Sequence, residues 1–149
     1  MKNQLFDLTK KVSLITGGNG GIGLGMAKGL ASCGSDIAII GRNINKNSKA
    51  KEELSEFDVR VETYSIDVSN EEDVKKTVLN VVNDFGRIDA VFANAGMNLY
   101  GGSFEDMDTD VYRKVLAVNL DGVFFTLREV CKHMVERAKK GDPGGSIVG

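Results

Sequence analysis

Short apolar runs alternate with amphipathic stretches along the chain, and this order predicts a three-layer, doubly wound α/β fold around a parallel sheet. Three observations carry the expectation. The strand-like runs "SLIT" and "IAII" are apolar through their centres, as strands buried on both faces require. Each run is followed by a segment with apolar residues at helical spacing. A glycine cluster, "GGNGG", stands between the first run and the first such segment.

The elements follow in order. Lys11–Thr16 reads as the first strand, and Ile22, Met26, Ala27 and Leu30 repeat at helical spacing after it. Asp36–Ile40 is the second strand. Ala50, Leu54 and Phe57 mark one face of the second helix, and the Asn/Lys-rich stretch around it reads as solvated. Val59–Ile66 alternates as a third strand. Ser69 and Glu72 have the spacing of a capping box at the start of a third helix. Val74, Val78, Val81, Val82 and Phe85 form its stripe, and Gly86 suits a left-handed C-terminal cap. Ile88–Ala93 is the fourth strand. One long helix is expected from Thr109 to Lys139, capped by Asp108, with Tyr112, Leu116, Val123, Leu127, Val130 and Met134 in one stripe. Val111, Val115 and Val118 make a second stripe beside it, so the helix should pack on more than one partner. "GSIVG" begins a fifth strand.

The 149 residues amount to one domain. A net charge of −2 with interspersed signs argues against a nucleic-acid or polybasic membrane surface. Cys33 and Cys131 form no metal or redox motif and read as reduced thiols, and no metal site is expected. No stretch has the length of a signal peptide or membrane helix, so a cytoplasmic protein is expected.

The cluster Ile15–Gly23 lies where a strand hands over to a helix. A glycine turn there admits positive φ and lets a pyrophosphate approach the backbone, while the free N–H groups of the new helix hold phosphate. Several spacings fit. Gly18, Gly20 and Gly23 fit G-x-G-x-x-G, Gly17, Gly20 and Gly23 fit a longer variant, and Thr16, Gly17, Gly21 and Gly23 fit T-G-x-x-x-G-x-G. No G-K-[ST] follows, which excludes a Walker-type site.

Four motifs occur together: "TGGNGGIG", "DVS" at Asp67–Ser69, "FGRIDAVFANAG" at Phe85–Gly96 and "VNLDGVFF" at Val118–Phe125. In order and spacing they resemble the short-chain dehydrogenase/reductase family over essentially the whole chain. The resemblance selects the T-G-x-x-x-G-x-G reading and implies a Rossmann fold that binds NADP or NAD. It assigns cofactor binding to Gly17, Asn19, Gly20, Gly21, Ile22 and Gly23 of the glycine loop. It adds Asp67 for the adenine amino group, Val68 beside the ring, and Asn94, Ala95 and Gly96 after the fourth strand. "LFDLTKKVSLITGGNGGIG" and "MNLYGGSFEDM" are further similar to members acting on sugar acids, such as gluconate 5-dehydrogenases. The chain departs from the family at Ala93, where Asn is usual, a change expected to alter hydrogen bonds beside the cofactor.

At the end of the second strand a carboxylate would serve NAD and a basic residue would serve the extra phosphate of NADP. Asp36 is at the strand's wrong end and Arg42 is at the right one, so NADP is preferred over NAD. Asn119 interrupts the apolar stripe of the long helix. A buried amide there must be hydrogen-bonded, and two roles stay open together: stabilising a kink in the core, and, as the resemblance implies, serving as the Asn of a catalytic tetrad that holds water in a proton relay. His133 lies near the same helix's end, where a cation suits the dipole.

The family's Tyr-x-x-x-Lys is not found: Tyr64, Tyr100 and Tyr112 are followed four residues on by Val68, Phe104 and Leu116. The chain therefore reads as the cofactor-binding part of an NAD(P)H-dependent oxidoreductase acting on an alcohol or ketone. On this reading it is cut inside the fifth strand, lacks the C-terminal strands and helices, and is inactive alone. A non-catalytic dinucleotide sensor or carrier is the alternative. The resemblance implies a homo-oligomer, a tetramer, when intact, and the broad apolar surface of the long helix predicts that the short chain aggregates.

Overall fold

A computed structural model describes residues 6–98 and 103–149. Strands β1 (Val12–Thr16), β2 (Asp36–Ile40), β3 (Val61–Tyr64), β4 (Ala90–Phe92) and β5 (Ser146–Val148) form one sheet in the order β3-β2-β1-β4-β5. Every pairing is parallel. Helices α1 (Gly21–Ser32), α2 (Ile44–Leu54) and α3 (Glu71–Phe85) connect successive strands. A single 3-10 turn (Phe104–Asp106), α4 (Thr109–Leu116), a π-helical turn (Ala117–Asp121) and α5 (Gly122–Lys139) lie between β4 and β5. The fold is the three-layer Rossmann type expected from the alternation.

Alternation within each strand supplies both faces of the sheet. Leu14, Ala38, Ile40 and Val91 point to one side and pack with Val74, Val78 and Val81 of α3 and Val130 and Met134 of α5. Ile15, Ile37 and Ile39 point to the other and meet Ala27, Ala31, Ala50 and Leu54 of α1 and α2. The chain winds outward from β1 to β3, then returns to place β4 on the other side of β1. The order reverses between β1 and β4, and the loops at their carboxyl ends diverge there to open a crevice.

Several local expectations need correction. The cap of α3 is Asn70, whose Oδ1 accepts from the Asp73 N–H at 3.2 Å; Ser69 is turned back onto Asp67. Gly86 does close α3 in the left-handed region, at φ 81°, and Asp108 does cap α4. Ile22 is 76% exposed, because the start of α1 faces the crevice and not the sheet. The expected long helix is interrupted: the π turn shifts its register, and the buried face of α5 runs through Gly122, Thr126, Val130, Met134 and Arg137. No residue of α4 is buried, and Phe124 and Tyr112 are more than half exposed.

At the amino ends of the strands a polar cluster ties α5 to β4. Asp89 accepts from the Val12 N–H at 3.0 Å and from Arg87 Nε at 2.7 Å, and Arg137 Nη1 donates to the Ile88 carbonyl at 2.7 Å. Burial opposes the charge on Asp89, but the Arg87 guanidinium and the Val12 N–H outweigh it and hold the carboxyl below its ordinary range. His133 Nε2 accepts from the Ile88 N–H at 3.2 Å. Burial and the charge of Arg137 keep this imidazole below its usual pKa, so it is a neutral structural acceptor and not a cation at the helix end. No helix among the described residues is long and apolar enough to cross a membrane.

Candidate functional site

A cleft of about 460 Å³ opens over the carboxyl ends of β1, β2 and β4. Every residue assigned to cofactor binding from the sequence lines it, together with Ile40, Gly41, Asn43, Lys46, Ile66 and Val118. Asn119 does not line it and stands beyond Gly96.

The glycine loop forms one wall. Gly17 takes φ +66° and Gly21 φ +50°, backbone that side chains rarely adopt. A Cβ on Gly17 would sit 3.0 Å from Ala95 Cα, and one on Gly23 would collide with the Gly17 carbonyl and lie 2.6 Å from Asn94 Nδ2. Above Gly20 and Gly21, by contrast, nothing lies within 4 Å. The loop is thus packed tightly on its protein side and open on the cleft side. The first N–H groups of α1 have no intrahelical acceptor and carry the positive end of its dipole. An elongated anion such as a pyrophosphate fits this arrangement.

Thr16 fastens the loop to the opposite wall. Its hydroxyl accepts from the Ala95 N–H at 2.9 Å, and its carbonyl accepts from Asn94 Nδ2 at 3.0 Å. The fully buried Thr16 is a positioning residue; it belongs to the T-G-x-x-x-G-x-G pattern, although its role as a tie between the two walls is not legible from the pattern. The Asn94 side chain is spent on this internal tie. Ala93 is buried and its N–H donates to the Val148 carbonyl at 2.8 Å, so the backbone ladder beside the cleft is made without an Asn there.

Arg42 and Asp67 face each other across the mouth, Nη1 to Oδ2 at 3.3 Å, both substantially exposed. Asp67 Oδ1 accepts from the Ser69 N–H at 3.0 Å and its hydroxyl at 2.8 Å. Burial works against the Asp67 charge, yet the two bonds from Ser69 and the charge of Arg42 hold its carboxyl below the ordinary value. Val68 is 6% exposed and packs against Gly122, where a Cβ would come within 2.8 Å of its Cγ2.

Asn119 is exposed rather than buried, and it sits inside the π turn. Its amide pairs at both ends with one backbone unit: Oδ1 accepts from the Met97 N–H at 2.8 Å, and Nδ2 donates to the Met97 carbonyl at 3.0 Å. The helix thereby holds the segment leaving β4. Met97 contributes only main-chain atoms, which no side-chain pattern could signal.

A profile of the short chain dehydrogenase family matches residues 11–148. The chain belongs to that family. Similar proteins include the sorbose reductase sou1 of Schizosaccharomyces pombe, 35% identical over 97% of this chain and 55% of that protein. An NADP-dependent mannitol dehydrogenase of Hypocrea jecorina is 36% identical over 97% of this chain and 54% of its own. Among solved structures, an NAD+-bound xylitol dehydrogenase superposes with a TM-score of 0.88 at 36% identity, covering 94% of this chain and 52% of that one. The chain spans about half the length of the curated relatives it matches. Within a short-chain dehydrogenase chain of this kind, the described cleft is the place where strand order reverses, the general ligand position of open α/β sheets.

Proposed function

We propose that this chain is the dinucleotide-binding part of an oxidoreductase that interconverts an alcohol and a ketone, with NADP(H) preferred over NAD(H). The observation that carries the reading is the cleft itself, where a glycine loop open only on its ligand side meets Arg42 at the end of β2. The N–H groups of Gly21, Ile22 and Gly23 would hold the pyrophosphate. Arg42 would take the ribose 2′-phosphate, giving up its exposed contact with Asp67. Asp67 would accept from the adenine amino group, with Val68 beside the ring. The backbone of Asn94, Ala95 and Gly96 would line the way to the reacting end. Asn119 would fix the Met97 carbonyl and hold a water of the proton path. When bound, the nicotinamide supplies or accepts the hydride.

The relatives named above act on sorbose, mannitol and xylitol, and they support a polyol–ketose pair as substrate in place of a sugar acid. We also propose a cytoplasmic homo-oligomer. The free thiols of Cys33 and Cys131 suit a reducing compartment, and exposed Tyr112, Leu120 and Phe124 along α4, the π turn and α5 suit association. Sedimentation of the native protein as a monomer would refute the latter.

Calorimetric titration tests the cofactor reading. Arg42→Ala should weaken NADPH binding by about 1.5–3 kcal/mol, the worth of a hydrogen bond to a charged group, and leave NADH nearly unchanged. Equal losses for both would refute the role of Arg42, and failure of the parent protein to bind either would refute the reading of the cleft.

A further inference from the structure

Asn47 is 3% exposed although it lies in a stretch whose composition reads as solvated. It sits on the face of α2 that also buries Ala50 and Leu54. Both ends of its amide are used. Oδ1 accepts from Asn19 Nδ2 at 2.6 Å, reaching the tip of the glycine loop, and Nδ2 donates to the Gly41 carbonyl at 2.9 Å, reaching the end of β2. Gly41 leaves room for this pairing: a Cβ there would collide with Asn19 Nδ2 and lie 2.7 Å from Asn47 Oδ1. The turn that follows is fastened on its other side as well. The Gly41 N–H donates to the Tyr64 carbonyl at 3.0 Å, and Ser65 Oγ donates to the Arg42 carbonyl at 3.1 Å. The Arg42 backbone is therefore fixed while its side chain stays 61% exposed.

We infer that Asn47 is a positioning residue for cofactor choice: it locks the glycine loop and the β2–α2 turn to one another, and so sets where the Arg42 guanidinium stands relative to the pyrophosphate cradle. The inference rests on the dinucleotide reading of the cleft. A diphosphate and a 2′-phosphate belong to one ligand at a set separation, so their two binding elements must keep a set separation too. An apolar residue in the same place would fill the volume and leave the two elements untied. The lock bears on NADP(H) more than on NAD(H), because only the phosphorylated ribose engages both elements through charge.

The test compares the native protein with Asn47→Leu, which keeps bulk and removes both bonds, and with Asn47→Ala, which removes them without crowding. Dissociation constants for NADPH and NADH are measured by fluorescence titration, alongside thermal unfolding. NADPH affinity should fall about tenfold, equivalent to about 1.4 kcal/mol, with NADH affinity changed less than about twofold. A role confined to stability would lower the unfolding temperature and move both affinities by the same factor, which would overturn the inference. An unchanged ratio in whichever variant folds would overturn it as well. Absence of binding by the parent protein to either dinucleotide would remove the dinucleotide reading and this inference together, whereas normal parental binding with an unshifted ratio removes the inference alone.

Discussion

Three glycines of α1 offer one substitution with opposite expected signs. Gly23, Gly25 and Gly29 lie within the helix, and none has a positive φ. Replacing glycine by alanine inside a helix stabilises by about 0.5–1 kcal/mol through lower chain entropy in the unfolded state. At Gly25 and Gly29 a Cβ meets nothing within 4 Å, so the full gain should appear. At Gly23 the methyl would run into the Gly17 carbonyl and sit 2.6 Å from Asn94 Nδ2. The obstacle on one side is backbone and cannot rotate away. Forcing a methyl into packed structure costs about 1–3 kcal/mol. Displacing Asn94 would also weaken its bond to the Thr16 carbonyl, worth about 0.5–1.5 kcal/mol. Set against the helix gain, Gly23→Ala should destabilise by about 1–3 kcal/mol. With a urea slope of about 2 kcal/mol/M, its midpoint should fall by roughly 0.5–1.5 M, while those of Gly25→Ala and Gly29→Ala rise by about 0.3–0.5 M. Dinucleotide affinity should drop only in Gly23→Ala. A Gly23→Ala midpoint that rises with the other two would show that the loop and helix are not in the close contact described.

His133 should make stability pH-dependent. Its pKa is lowered on folding, so below about pH 6.5 the unfolded chain binds a proton that the folded chain refuses, and stability falls as pH drops from the ordinary histidine value through the depressed one. Urea midpoints between pH 5 and 8 should show this slope, and His133→Gln should flatten it; a parental profile flat through that range would contradict the account. Asn119→Ala should free the Met97 backbone at a cost of about 1 kcal/mol. The Met97 amide should then exchange about fivefold faster while amides of β1 keep their protection, and an unchanged Met97 rate would show that the paired amide holds nothing.

What sequence makes legible here is what repeats or what backbone geometry demands of a residue type. The strands announce themselves because burial on both faces keeps the centres of "SLIT" and "IAII" apolar. The glycine loop does so because its positions exclude a side chain on different grounds, Gly17 and Gly21 by φ and Gly23 by space. Asp67 and Arg42 could be placed by their position after β3 and β2. Their pairing could not, because it depends on how two loops from non-adjacent stretches converge. Asn47 was hidden by its company: lysines and asparagines surround it, and only its three-residue spacing from Ala50 betrays an inward face. Asn119 stands out as an odd residue in an apolar stripe, yet that stripe assumes one pitch, and the π turn at Ala117–Asp121 breaks the pitch and leaves Asn119 exposed.

That break has a geometric cost for anything downstream. An α-helix advances about 100° per residue, and a turn closed five residues back instead of four takes up one extra residue without adding a turn. Ala117–Asp121 therefore works like a slipped thread on a screw: the azimuth of the side chains changes by about one residue's step across it. Asn119 rides on the slip itself, with its amide bonded to both the N–H and the carbonyl of Met97. Removing a single residue from this turn would leave a good helix and a wrong one, because either α4 or the Gly122–Arg137 face of α5 would have to rotate by about 100° away from the neighbours it now meets. The segment should accordingly accept many substitutions on its outer side and no change of length.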